Sequence, residues 1–307
     1  MADCSSKLIL LISQESAIGK TRSATLLKVK DIGLLTKVRL ASVVVISAVA
    51  GYMMGPGEFS FLQLALLIGG GFLVTGASNA YNQAIEHNLD GMMDRTQARP
   101  IPAGRMSVRE SILIATVFAV LGLACLALIN TLSAVLGFLA LFMYVAIYTP
   151  LKQITPWAVF VGAFPGAIPP MLGYIAASGS FGLEPGILFA VQFIWQFPHF
   201  WAIAWVIDDD YARAGFSLLP SKGRRDKSSA FQILLYSLFL IPVSLLPWLF
   251  SMTGDWSALV VGLLGLVFAW LAYKLFRSCE RKEALVLMFA SFVYLPTIQL
   301  LYVLDKL

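Results

Sequence analysis

Apolar residues fall in nine long, nearly uncharged stretches, near 35–55, 61–83, 109–129, 131–150, 156–178, 184–206, 230–251, 256–276 and 284–304. Each approaches the ~20 residues that one helical crossing of a bilayer needs. The pattern predicts an all-α, polytopic membrane protein of about nine transmembrane helices. Its first stretch is the least clean, because Lys37 and Arg39 stand at its start. The residues before it are polar apart from Leu8–Ile12, which is too short to span and is followed by no small-residue cleavage pattern. They are expected to form a cytoplasmic N-terminal arm over 1–32, with the transmembrane domain over 33–307. The fifth stretch contains Pro165, Pro169 and Pro170, each of which removes a backbone donor. A regular helix throughout is not expected there. Broken backbone at membrane depth belongs where it is buried in protein or lines a cavity. Gly162, Gly166 and Gly173 in the same stretch permit close helix packing.

Composition agrees. The chain is 59% hydrophobic and 13% charged, against roughly 25% charged residues in soluble domains. Of its 22 lysines and arginines, all but Lys306 lie on the side of the nine stretches that holds the N-terminus. Basic loops mark the cytoplasmic side, so the N-terminus is expected inside and the C-terminus outside. The net charge of +5 is then a topology signal, and no nucleic-acid partner is expected. Cys4, Cys125 and Cys279 show no CxxC spacing, which argues against a metal knuckle or covalent haem attachment. The arm lacks an Arg-rich transit pattern, which points to a bacterial plasma (inner) membrane.

The polar chemistry crowds one face. Both long loops, 84–108 and 207–229, are on the basic side, and each runs from acidic into basic residues, as in a loose duplication. At the end of the second stretch, Asn82, Glu86, Asp90 and Asp94 recur every four residues. Residues four apart share a helix face, so the four are expected to form a polar ladder about 18 Å long, with Thr75 and Asn79 continuing it inward. Carboxylate and amide oxygens suit Mg²⁺, which takes few protein ligands plus substrate phosphate oxygens. Tyr148 and Lys152 leave the fourth stretch four residues apart, where a lysine can meet a phosphate as a point charge. The sixth stretch ends in Asp208, Asp209 and Asp210, with Arg213 one turn on. Three adjacent acids cannot share one helix face, so one or two of them can point at a common metal. Within F-I-W-Q-F-P-H-F-W, Gln192, Gln196 and His199 form a second polar stripe. There His199 either contacts a substrate inside the bundle or bonds another helix.

N-x-x-x-E-x-x-x-D with M-D-R-T-x-x-R-P, then Y-x-x-x-K, P-H-F-W and D-Y-x-x-A-G-F, resembles the UbiA-type intramembrane prenyltransferases, and among them the haem-farnesylating branch. The likeness runs from about residue 35 to the end. It implies a bundle around a central cavity open to lipid, with farnesyl diphosphate as donor and the vinyl group of protohaem IX (haem b) as acceptor. The products would be haem O and pyrophosphate, with Mg²⁺ as cofactor. A haem A synthase or a terminal oxidase assembly would be a partner. The resemblance assigns Asn82, Glu86, Asp90, Asp209 and Asp210 to the metal, Lys152, Tyr148 and Arg95 to the diphosphate, and His199 to contact with the haem. Asp94, Arg99, Arg213 and Gln196 are further expected substrate-binding residues. Phe193, Trp195 and Phe197 are candidate shelters for an allylic cation. Glu86 stands where the family usually has Asp, and D-D-D-Y replaces the spaced D-x-x-x-D of other branches. Rival expectations are an aromatic acceptor such as 4-hydroxybenzoate, a CDP-alcohol phosphotransferase suggested by Asp90-Gly91, and a transporter with broken helices.

Overall fold

The computed structural model describes residues 27–221 and 224–307. Most of the expected arm lies outside the described residues, as do Cys4, Lys7, Lys20, Arg22 and Lys222. Where description begins the chain is already helical, in α1 (Leu27–Leu35), which bends by 52° into α2 (Val38–Met54). There follow α3 (Phe61–Ile85), α4 (His87–Asp90), α5 (Val108–Ala127), α6 (Thr131–Phe142), a π-helical turn (Met143–Tyr148) and α7 (Thr149–Leu151). The rest are α8 (Ala158–Ser178), α9 (Leu183–Val206), α10 (Asp208–Arg213), α11 (Lys227–Ser244), α12 (Leu246–Leu249), α13 (Asp255–Ser278) and α14 (Arg281–Leu304). Among the described residues, eight helical segments are long and apolar enough to cross a membrane, and nine with the bent α1–α2 pair. They coincide with the nine expected stretches, and the chain is a multi-pass membrane protein.

Contacts define two ends of the bundle. At one, Lys152 reaches Glu86, Arg281 Nε donates to the Val206 carbonyl, and Arg225 Nε donates to the Trp205 carbonyl. At the other, Lys306 Nζ donates to the Met53 and Gly55 carbonyls, and Asp305 accepts from the Ser257 amide. Lys306, the solitary basic residue of the sequence pattern, therefore sits at the opposite end from Lys152, Arg225 and Arg281. Interior helices are α8 and α9, with 72% and 67% of their apolar windows buried, against 39% or less in the six other unbent spans. Large apolar side chains such as Leu113, Val120, Leu259 and Val293 cover the outer faces, where lipid replaces water as the solvent.

The fifth span corrects the expectation of a broken helix: α8 is assigned as one helix with all three prolines inside it. Its neighbour supplies one of the bonds the prolines remove. Pro170 has no N–H for the Gly166 carbonyl, and Gln192 Nε2 donates to that carbonyl at 2.7 Å. Gln196 Nε2 adds a second α9–α8 bond, to Ala163 O at 2.8 Å, although no proline stands four residues after Ala163. Neighbouring helices commonly rescue freed backbone groups in this way at membrane depth. The rescue extends sideways, since Gln299 Nε2 donates to Gln192 Oε1 (2.9 Å) and Ser47 Oγ to Gln299 Oε1 (3.0 Å). One hydrogen-bonded chain thus ties α2, α14, α9 and α8.

The α1–α2 bend has a similar cause. A helix end leaves its last carbonyls without intrahelical partners. Here Gln83 Nε2 donates to the Leu34 and Leu35 carbonyls, and Asn79 Nδ2 to that of Thr36. Two amides of α3 therefore cap α1 and turn the next residue, Lys37, toward α3.

Candidate active site

The ladder on the second span survives only in part. α3 stops at Ile85, and Glu86 sits between α3 and α4 at φ −95°, ψ 8°. Its amide still bonds to Asn82 O and its carbonyl still accepts from the Asp90 amide, so the chain kinks without losing its stacking. Asn82, Glu86 and Asp90 are all at most 2% exposed. Asp94 corrects the expectation: the helix has ended at Gly91, and Asp94 is an exposed side chain paired with Arg213. A four-residue period continued past a helix end no longer implies a shared face.

Each buried acid carries its own cation. Lys152 Nζ donates to Glu86 Oε2 at 2.6 Å, and Arg99 Nη1 to Asp90 Oδ2 at 2.6 Å. The R-T-x-x-R-P motif accounts for the second pair, because Thr96 Oγ1 donates to the Asp90 carbonyl at 2.7 Å and folds the loop back under Asp90. Lys152 also lies 5.1 Å from the Phe216 ring centroid and 5.7 Å from that of Tyr148. Burial pulls its pKa below the usual lysine value, and the neighbouring Glu86 opposes that shift. Asn82 Nδ2 donates to Thr149 Oγ1 at 3.2 Å, just after the π turn. Such turns widen a helix locally and recur at functional sites. Thr149 was not legible as a site residue; Pro150 beside it was the available hint.

The second acidic element divides. Asp210 accepts from the backbone amides of Asp94 (3.0 Å) and Arg95 (3.3 Å), joining the loop after α9 to the loop after α4. Asp209 turns away to Arg225, which donates from Nη1 and Nη2 at 3.2 and 3.1 Å, and Asp208 lies 3.5 Å from the same guanidinium. The five expected metal ligands therefore do not converge. Among the described residues no three His, Cys, Asp or Glu side chains are placed to hold a metal ion unaided. The stack Asn82–Glu86–Asp90 nevertheless fits Mg²⁺, whose remaining positions go to phosphate oxygens and water. Glu86 Oε1 is buried with no hydrogen-bond partner among the described residues, an oxygen left over for such an ion.

Lys37 was expected only as a topology marker. It occupies the bend in a left-handed conformation, φ 49°, and its ammonium lies within the electrostatic reach of Glu86, Asp90, Arg99 and Lys152. A lysine held in that conformation is strained and needs its surroundings to keep it there. Tyr144, Tyr148 and Tyr211 lie within electrostatic reach of Glu86. On α9, the Gln196 amide is taken by α8, and His199 Nδ1 meets Ser291 Oγ at 2.7 Å. The aromatic trio does not line one wall. Phe197 packs against Tyr236 and borders a cavity of about 330 Å³ with Phe160 and Trp201. Trp195 instead turns to α14.

Fold and site together define an all-helical integral membrane protein with alternating buried acids and cations at one end of the bundle. The model of the UbiA prenyltransferase family matches residues 44–294, and the chain belongs to that family. The protoheme IX farnesyltransferase of Christiangramia forsetii is 54% identical over 277 residues, 89% of this chain and 92% of the relative. A solved structure of digeranylgeranylglyceryl phosphate synthase superposes with TM-score 0.76 at 17% identity, covering 91% of this chain and 98% of the other. A UbiA homologue from Archaeoglobus fulgidus bound to GPP and Mg²⁺ superposes with TM-score 0.61 at 14% identity, covering 89% and 99%. These two likenesses are in fold.

Proposed function

We propose that this chain transfers the farnesyl group of farnesyl diphosphate to a vinyl group of protohaem IX, giving haem O and pyrophosphate. The observation that carries the transfer chemistry is the pair of buried ion pairs, Glu86–Lys152 and Asp90–Arg99, beside the amide of Asn82. A lone buried charge is costly. Two acids and two cations interleaved at one bundle end can instead exchange partners with a ligand that is itself polyanionic and metal-bound. The acceptor is argued from the similarity to the Christiangramia forsetii enzyme, and the metal from the homologue that holds GPP and Mg²⁺. Mg²⁺ held by Asn82, Glu86 and Asp90 would supply neutralisation of the charge that gathers on departing pyrophosphate.

The chain's own residues do the rest. Lys152, Arg99, Arg95 and Lys37 direct positive charge at the phosphate oxygens. Asp210 holds the Asp94–Arg95 backbone in place, and Asp94 with Arg213 forms an exposed pair at the rim. The Tyr148 and Tyr144 rings, 5.2 Å apart, replace the α9 trio as the shelter for an allylic cation. The vinyl group attacks that cation, and water completes the hydroxyl with release of a proton. No nucleophilic side chain is required. The basic end is the cytoplasmic one on the charge argument, which puts the site at the inner face of the plasma membrane. A haem bearing a farnesyl tail stays in the bilayer, so its consumer is a membrane protein of the haem A synthase or terminal oxidase kind.

Purified protein given farnesyl diphosphate, protohaem and Mg²⁺ is expected to release pyrophosphate and yield a farnesylated haem identifiable by mass and absorption. Transfer to 4-hydroxybenzoate with protohaem untouched would overturn the acceptor, and no pyrophosphate release with any acceptor would overturn the enzyme. A pH profile tests Lys152. Its pKa is lowered from 10.5, and only the charged form attracts diphosphate. Wild-type kcat/KM, which reports the free enzyme, should therefore fall on the alkaline side before ordinary lysines titrate. Lys152→Arg should move that limb upward, and an unmoved limb would assign it to another group.

A further inference from the structure

The three residues stacked along the α3–α4 kink differ in one chemical respect. A carboxylate offers an oxygen whichever way its plane is turned. An amide has one oxygen and one NH₂, and the NH₂ donates hydrogen bonds but has no lone pair for a cation. Glu86 and Asp90 can therefore meet Mg²⁺ either way round, whereas Asn82 can do so in one orientation. Asn82 is 2% exposed, so protein neighbours decide which end of its amide faces where.

The deciding neighbour is Thr149, itself 0% exposed. Its hydroxyl donates to the Tyr144 carbonyl at 2.8 Å. A carbonyl can only accept, so the hydroxyl proton is committed and Thr149 Oγ1 is left with lone pairs. Asn82, 3.2 Å away, must then present its donor, Nδ2. The reversed amide would set two acceptors, Oδ1 and Oγ1, against each other in a buried place, which is costly. Asn82 Oδ1 accepts no hydrogen bond among the described residues, and it is the end left for a ligand.

The π turn makes this contact. A threonine hydroxyl in a regular helix reaches the carbonyl three or four residues back. Here the Met143–Tyr148 turn brings Thr149 over Tyr144, five back, where the Thr149 amide also bonds. One residue inserted in a helix rotates those that follow by about 100°. Thr149 and Lys152 are thereby turned together onto α3, Thr149 meeting Asn82 and Lys152 meeting Glu86 one turn later. α8 leaves room for the turn, since a Cβ at Gly162 would strike the Tyr148 ring. We infer that Thr149 is a positioning residue, which holds the Asn82 amide so that its oxygen and not its NH₂ faces the Mg²⁺–diphosphate; this rests on the magnesium reading above.

The test uses the full chain in lipid nanodiscs with farnesyl diphosphate and no acceptor. It reads the Mg²⁺ concentration that gives half-maximal farnesyl diphosphate binding, and the melting of the ligand-free protein. Thr149→Val keeps the shape and removes the hydroxyl. It should raise the Mg²⁺ requirement roughly 10- to 100-fold, the effect usual for a lost outer partner of a metal ligand, while the ligand-free protein still melts as a folded one. Thr149→Ser keeps the hydroxyl and should bind close to the wild-type requirement. Asn82→Asp puts an oxygen at both ends of the side chain, so adding Thr149→Val to it should shift the requirement far less than in the wild-type background. General loosening of the turn would act on both backgrounds alike. An unchanged requirement in Thr149→Val, or in Thr149→Ala should the valine variant not fold, overturns the assignment. Equal shifts in the two backgrounds overturn it as well. So does loss of all binding in Asn82→Asp, because an oxygen at that position would then not suffice. Farnesyl diphosphate binding by the wild type that is indifferent to Mg²⁺ removes the magnesium reading, and this assignment with it.

Discussion

Asp90→Asn is expected to lower kcat/KM by roughly three orders of magnitude or more while the protein still reaches the membrane. Metal-mediated charge stabilisation contributes several kcal/mol to a transition state, and each 1.36 kcal/mol is about tenfold in rate. Asparagine preserves the shape of a side chain that is 1% exposed and held against the 96–99 loop. What it removes is the negative charge, and with it both a metal oxygen and the partner of Arg99. Losing one member of a buried pair destabilises through the charge left behind, so Asp90→Asn should also melt earlier in detergent. The double variant Asp90→Asn/Arg99→Gln separates these effects, because it should regain thermal stability without regaining turnover. Pyrophosphate release and thermal unfolding, measured on the same preparations, give both readouts. Turnover by Asp90→Asn within tenfold of wild type would remove Asp90 from the metal site.

The spans and the end of the bundle that gathers the acids were legible in the sequence because both rest on composition. Twenty apolar residues in a row leave few alternatives to a crossing helix, and the nine stretches reappear as helices with ends shifted by a few residues. The acids were legible for the same reason, since carboxylates beside a bilayer are expensive. Their partners and directions were less so. Asp94 lies in register with Asn82, Glu86 and Asp90, yet the helix ends before it. The turn there is set by Thr96 and Arg99 closing on Asp90, contacts that no periodicity reports. Three prolines argued for a broken α8, yet it runs on as one helix, with Gln192 of another helix serving the carbonyl that Pro170 frees. Lys37 read as one more basic residue, because its role depends on Asn79 and Gln83 capping α1 from α3.

Gly173→Val is expected to be among the most destabilising single changes in the membrane-embedded part. A Cβ at Gly173 would strike the carbonyl of Ala48, and one at Gly51 the carbonyl of Pro170. At these points α2 and α8 meet backbone to backbone, and backbone cannot rotate aside as a side chain can. Overpacking a core costs about 1–3 kcal/mol when side chains can adjust, so a backbone clash should reach or exceed the upper figure and lower the apparent Tm by several degrees. Gly262 has open space around it. Gly262→Ala should be neutral or mildly stabilising, because alanine favours a helix over glycine by roughly 1 kcal/mol. The contrast separates close approach from general sensitivity of glycine positions, and equal melting of Gly173→Val and wild type would show that α2 and α8 do not touch there. The effect should also reach the chemistry. α2 begins one residue after Lys37, so prising it from α8 moves that ammonium away from Glu86 and Lys152. A milder change, Gly173→Ala, should therefore raise the KM for farnesyl diphosphate before it unfolds the protein.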